Sequence, residues 1–366
     1  RFAYNTTMNV SAPGFVWGTT GPSGTIYTGI PTNGYTTGEI GNANVAWEEA
    51  TKADVGIELG LYNKVRIQAD YFYEKREGIF IQRESTPSVV GTKVAQYVNL
   101  GRMQNQGVDL SLEFDHQFNK DLSLSARGNF TYNRNKKLYD DKPDQIWKYQ
   151  NLAGFAQNQQ FGLIAEGLFE SEEDIATWPK QNFGDVRPGD IKYRDLNGDG
   201  IVDGNDVTTA GSPTIPEIQY GFGATVKWRR FDFSFMFQGA ANVSLRMYNM
   251  HPFCDASHFG YGITQYIADN HWSEDNNRAD AAYPRLTSQM SSNNTQSSTF
   301  YIHDAKYLRL KTVELGYTIK KFRVYLPGNN LFVISPFDYW DPEKGGGHGL
   351  TYPLQRTAKI GVQYQF

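Results

Sequence analysis

The chain has 366 residues, 35 Lys+Arg against 39 Asp+Glu, a formal charge of −4 and one cysteine. Cys254 alone excludes a disulfide framework, the lack of a positive excess argues against nucleic acid as a partner, and no apolar run of about 18 residues could form a transmembrane helix. The unusual feature is aromatic content: 14% of a chain whose mean hydropathy is −0.55, which suits half-buried strands joined by polar loops.

Period-two alternation runs through the chain. Ala53, Val55, Ile57, Leu59 and Leu61 alternate with Lys52, Asp54, Gly56, Glu58 and Gly60, and after Tyr62-Asn63 the pattern resumes with Val65, Ile67, Ala69, Tyr71 and Tyr73. Two such runs around a short turn predict a hairpin. A second pairs Val108, Leu110, Leu112 and Phe114 with Leu122, Leu124, Ala126, Phe130 and Tyr132. The third sets Tyr220 to Trp228 against Phe231, Phe233, Phe235 and Phe237 across Arg229-Arg230, and the fourth joins Val313 to Ile319 with Phe322, Val324 and Leu326 across Lys320-Lys321. A last strand runs to Phe366 through Ala358, Ile360, Val362 and Tyr364.

Connections are short within hairpins and long between them, at about residues 11–49, 82–106, 134–215, 242–303 and 334–353. Short turns on one side and long loops on the other describe an outer-membrane barrel. With short turns in the periplasm, an upward strand near residues 1–10 and nine further crossings bring the C-terminus to the periplasmic side. The predicted fold is therefore all-β, an antiparallel transmembrane barrel. It has ten strands, or twelve if residues 146–152 and 160–169 add a pair, and otherwise that pair belongs to a sheet above the membrane. Apolar faces meet lipid, and charged faces a watery lumen. A soluble β-sandwich also alternates, but such long loops and charged faces weigh against it.

The sharpest chemical motif is Asp195-Leu-Asn197-Gly-Asp199-Gly-Ile201-Val-Asp-Gly-Asn-Asp206. Oxygen side chains at positions 1, 3, 5 and 12, with a backbone carbonyl at 7, are what calcium requires. Asp at position 12 departs from the EF-hand form, and the competing reading is a turn-rich surface loop without metal. Six scattered histidines lack zinc spacing, and no G-x-S-x-G elbow occurs, so no covalent chemistry is expected. In the long loops Tyr248, Phe253 and Trp272 are candidate partner or ligand residues, while Ser291–Ser298 reads as an unpacked polar tip. Ser171 before Glu172, Glu173 and Asp174 reads as a helix start. Tyr62, Phe118 and Trp228 stand at the short turns, where an aromatic belt belongs.

The phrases NVAWEEAT (44–51), NLGRMQNQGVD (99–109), AEGLFES (165–171), PGDIKYRDLNGDGIVDGND (188–206), YPRL (283–286), DAKYLRLKTVELGY (304–317) and YWDPE (339–343) occur in this order. Together they resemble the C-terminal half of the SusC/RagA-type TonB-linked outer-membrane transporters of Bacteroidetes. That resemblance implies a 22-stranded, plugged barrel of which this chain is the C-terminal part, the plug and TonB box lying elsewhere in a longer protein or in another chain. It also implies nutrient import energised through TonB, with a SusD-like surface lipoprotein as lid and a glycan or peptide oligomer as substrate. The alternative from another class is a soluble, calcium-stabilised carbohydrate-binding or adhesive β-protein.

Overall fold

In a computed structural model the described residues are 42–90, 96–248, 265–275, 277–278, 280–287, 291–349 and 351–366, with short backbone strands between 9 and 36. One antiparallel meander dominates. Its strands are β1 (Glu49–Leu61), β2 (Val65–Gln82), β3 (Tyr97–Gln117), β4 (Leu122–Tyr139), β5 (Ile218–Trp228), β6 (Phe231–Ala241), β7 (Tyr307–Ile319) and β8 (Phe322–Ile334), and two short pieces, β9 (Thr357–Ala358) and β10 (Gly361–Tyr364), that both pair with β8. Because β9 and β10 are consecutive pieces along one neighbour, the ten strands make nine crossings. β4 pairs directly with β5, so residues 140–217 add no crossing to this sheet. The crossing expected near residues 1–10 lies outside the described residues except for Asn9 and Val10, which begin a short strand, Asn9–Gly14, paired with Thr32–Thr36.

Register turns the alternation of single strands into two continuous faces. Leu59, Ile67, Leu112, Gly128, Phe222, Phe237, Leu310 and Phe332 lie in one row across β1 to β8. The opposite face carries Arg66 beside Glu113 at 3.2 Å, Thr131 donating to Asp109 at 2.7 Å, and Arg323 bound to both Asp232 and Glu314. A bulge at Lys311 keeps the apolar face unbroken, since it moves Leu308 and Leu310 onto the side already occupied by Val313 and Leu315. Apolar residues of the sheet stay exposed: Val55 at 68%, Ile57 at 58% and Val362 at 65%. In water so much bare apolar surface would be costly, whereas lipid tails cover it at no penalty. No described helix is long and apolar enough to cross a membrane.

A transmembrane strand needs roughly 9–11 residues, and β2, β3 and β4 have 18, 21 and 18. They therefore extend well past the apolar band at the long-loop end. The turns at the other end are tight: Lys64 N–H bonds the Leu61 carbonyl at 3.0 Å across Tyr62 and Asn63, both with positive φ, the geometry that continues the twist of the two strands.

The hydrophobic core lies outside the sheet. It gathers Leu163, Leu168, Ile191, Tyr193, Val202, Leu245, Met247, Trp272, Tyr283, Tyr301 and Phe337 from the three insertions 140–217, 242–306 and 335–349. These insertions fold together into a cap over the long-loop end of β4 to β8. Within it Ala165–Leu168 pairs with Ile191–Tyr193, and Phe161–Gly162 with Thr208–Thr209, so the segment 160–169 belongs to small sheets of the cap. The helix α1 (Glu172–Thr177) starts as its sequence predicts, with the Ser171 hydroxyl accepting from Asp174 N–H at 3.2 Å. The 242–303 segment, which shows no strand pattern of its own, nevertheless contains Ser244–Arg246, paired with Ile302–Asp304. Three residues are too few for alternation to register.

Candidate binding site beneath the cap

Two arginines, one partly buried and one buried, fasten the insertions to one another and to the sheet. Arg285 reaches Asp190, which is fully buried, at 2.7 Å, and Asn294 donates to the same carboxylate at 2.8 Å. Arg309, on the charged face of β7, contacts Asp341 at 2.5 Å and Glu343 at 3.1 Å, while the Tyr307 hydroxyl donates to Glu343 at 2.9 Å. Charges that deep are tolerated because each is paired and further hydrogen-bonded. The residues come from the phrases PGD, YPRL, LRLK and YWDPE, so the stretches that stand out in the sequence converge in space.

Residues 291–298 are corrected by the structure. Instead of an unpacked tip, Asn293, Asn294 and Ser298 are 1%, 0% and 0% exposed. Asn293 donates to the Ile191 carbonyl at 2.8 Å and Asn294 accepts from the Ile191 N–H at 2.9 Å, so two side-chain amides satisfy the backbone N–H and C=O of one buried residue. Gln181 extends the same network to Asn293 at 2.7 Å and to Tyr193 N–H at 2.6 Å. Polarity here marks a hydrogen-bonded interior, and composition alone does not distinguish that from a loop tip.

Between this cap and the charged face lies a cavity of about 820 Å³. Asn129, Gln219 and Gln238 line it from the sheet, and Arg246, Tyr248 and Glu343 from the cap. Along Ser244–Arg246 and its continuation, Leu245 and Met247 enter the cap core, so alternation sends Arg246 and Tyr248 to the other side. Glu343 is committed to Arg309 and Tyr307. Arg246 has no ion pair among the described residues, and its buried Nε has no hydrogen-bond partner. The cavity thus offers amides, a half-exposed tyrosine ring and one guanidinium to a polar ligand.

The residues singled out in the sequence separate. Tyr248 is 50% exposed at the cavity. Trp272 is buried by the cap's own loops, its backbone N–H on the Tyr283 carbonyl at 2.9 Å, its indole N–H on Asn277 at 3.1 Å and its ring against Gly189. Phe253 lies outside the described residues. In the acidic loop, Asp195 accepts from the N–H groups of Gly198 and Gly200 at 2.7 and 2.8 Å, Asn197 from Asp199, and Asp199 from Ile201. Asp206 is buried and accepts from Leu196 N–H at 2.7 Å and Asp203 N–H at 2.8 Å. This donor set is all oxygen, as a hard cation prefers, but the oxygens are used to shape the loop, and among the described residues no cluster of three His, Cys, Asp or Glu is placed to hold a metal. Tyr149 donates to the Asn205 carbonyl at 2.8 Å, and burial together with the nearby carboxylates of Asp206, Asp195 and Asp199 raises its hydroxyl above the usual tyrosine range.

Comparison with known proteins bears on this architecture directly. The family model described as TonB dependent receptor-like, beta-barrel, matches residues 1–331. The chain belongs to that family. It is 28% identical over 93% of its length to a TonB-dependent receptor of Formosa agariphila, and 25% identical over 89% to the TonB-dependent receptor SusC of Bacteroides thetaiotaomicron. It spans about a third of those relatives, 37% and 32% of their lengths. Among solved structures, the RagAB peptide importer in its open-open state superposes with a TM-score of 0.68 at 22% identity, covering 99% of this chain and 38% of that one. The shared fold is that of an outer-membrane barrel, as the alternation predicts, and of its C-terminal portion, as the family resemblance implies.

Proposed function

We propose that the chain forms part of the wall and the outer cap of a TonB-dependent importer for an oligomeric nutrient, glycan or peptide, across the outer membrane. A SusD-like lipoprotein would sit over the cap, and strands of the remaining barrel would complete the edges at β1 and β9/β10. The observation that carries this reading is the cavity between cap and charged face: it stands at the long-loop end of the sheet, and its amides, tyrosine ring and guanidinium suit a polar oligomer, while its carboxylate Glu343 is held by Arg309 and Tyr307. The relatives' names, TonB-dependent receptor and peptide importer, support the same assignment. The test uses the full-length receptor in cells with Gln238→Trp, which fills the cavity. Uptake of a labelled oligosaccharide or peptide that the parent imports should fall at least tenfold at unchanged receptor levels in the outer membrane. Undiminished uptake, or a receptor that fractionates as a soluble protein, would defeat the proposal.

Calcium at Asp195, Asn197, Asp199, the Ile201 carbonyl and Asp206 is a subsidiary part of this reading. The spacing and the all-oxygen donor set support it. Millimolar calcium should protect residues 195–206 from hydrogen exchange, and Asp199→Ala should remove that protection. Identical exchange with calcium and with chelator would rule it out.

A further inference from the structure

Because the sheet is a meander, the turns after β1, β3, β5 and β7 all stand at one rim. Contacts between neighbours fix them there: Arg229 N–H bonds the Asp121 carbonyl at 2.7 Å, and Gln365 N–H the Lys321 carbonyl at 2.9 Å. These turns carry Lys64, Lys120, Arg229, Arg230, Lys320 and Lys321, all exposed, and a single carboxylate, Asp121, 3.5 Å from Arg229. A chain of net charge −4 does not place six cations there by composition. The other end is opposite in sign, since residues 140–217 hold 15 Asp+Glu and 6 Lys+Arg. Exposed rings flank the cations on the strand side: Trp228 stacks on Phe231 at 6.3 Å, Phe322 lies 4.7 Å from Tyr364, and the Arg229 guanidinium sits 5.7 Å from the Trp228 ring centre.

We propose that this rim is a docking surface for anionic phospholipid headgroups. The inference rests on the membrane-barrel assignment and is independent of what the receptor imports. Rings at the membrane interface set the depth, and cations one or two residues further out then stand at the level of the phosphates. Guanidinium forks grip phosphate oxygens in pairs, and lysines add point charge. Turn centres two strands apart are about 10 Å from one another, so four turns form a row about 30 Å long. Repetition of one ring-and-cation unit at constant depth matches a planar headgroup layer better than it matches the irregular face of a protein.

The experiment takes the full-length receptor in mixed micelles or nanodiscs with equal phosphatidylglycerol and phosphatidylcholine, and measures the retained lipid by native mass spectrometry. Phosphatidylglycerol should be enriched severalfold, and raising the salt on the unmodified receptor should release it. The variant Arg229→Gln/Arg230→Gln/Lys320→Gln/Lys321→Gln should lose at least about tenfold in retention, whereas Lys148→Gln/Lys180→Gln in the cap should not. Heat-modifiable migration reports that each variant is folded. Equal retention of both lipids, no effect of salt, or full retention by the quadruple variant would overturn the proposal, as would displacement of the lipid by a co-purifying acidic protein.

Discussion

Asp190 and Arg285, 95 residues apart in the chain, meet at 2.7 Å inside the cap and tie the insertion after β4 to the one after β6. The carboxylate also accepts from Asn294 and from the Arg187 N–H, so its removal strands several donors at once. Asp190→Ala should cost about 3 kcal/mol of cap stability, the low end of the penalty for breaking a buried ion pair, because the orphaned Arg285 keeps some access to water. Limited proteolysis of the full-length receptor should then cut within residues 140–217 while the barrel keeps its heat-modifiable migration. Unchanged cleavage would show that the pair does not hold the cap.

Gly189 has φ +88°, and a Cβ there would come within 2.2 Å of the Trp272 ring. Gly184 has φ +115° with open space around it. Gly184→Ala therefore tests backbone strain alone, about 1–3 kcal/mol, and Gly189→Ala adds overpacking of about the same size. Tryptophan fluorescence should shift only for Gly189→Ala. A matching response from both would remove the role given to the Trp272 contact.

The apolar rows predict a directional response to charge. Arg in place of Ile57 or Phe235 should destabilise the folded barrel by about 2–4 kcal/mol if near the bilayer midplane. Thr225→Arg, on the opposite face between Ser125 and Ser234, should be tolerated. Urea unfolding in liposomes measures both, and equal loss at the two faces would contradict the assignment of lipid to the apolar side.

His303 packs against Phe337 and Tyr339 at 5.7 and 5.5 Å between ring centres, and burial lowers its pKa below the ordinary 6.5, against a smaller opposing effect of Asp338. The unfolded chain therefore takes up the proton first as pH falls. Its contribution to cap stability is complete above about pH 6.5 and declines as pH drops from there toward the folded-state pKa. His303→Phe should flatten that decline in thermal melts between about pH 5 and 7, and an unaltered slope would assign it to other groups.

What the sequence determined by itself was the sheet. Alternation is a local property: whether Ile57 and Lys52 lie on opposite faces follows from the period of an extended chain, and turns as short as Arg229-Arg230 permit only antiparallel neighbours. The start of α1 was legible for the same reason, since Ser171 caps a donor three residues away. The cap was decided by tertiary structure. Its core draws on three insertions, and whether Trp272 faces a ligand or Gly189 depends on segments far away in the chain. Asn293 and Asn294 read as exposed because asparagine favours turns, and only hydrogen bonds to the backbone of Ile191, about a hundred residues away, hold them in the interior. Hydrogen-bond satisfaction between distant segments has no period, and that is why the barrel wall could be read from the residues while the cavity beneath its cap could not.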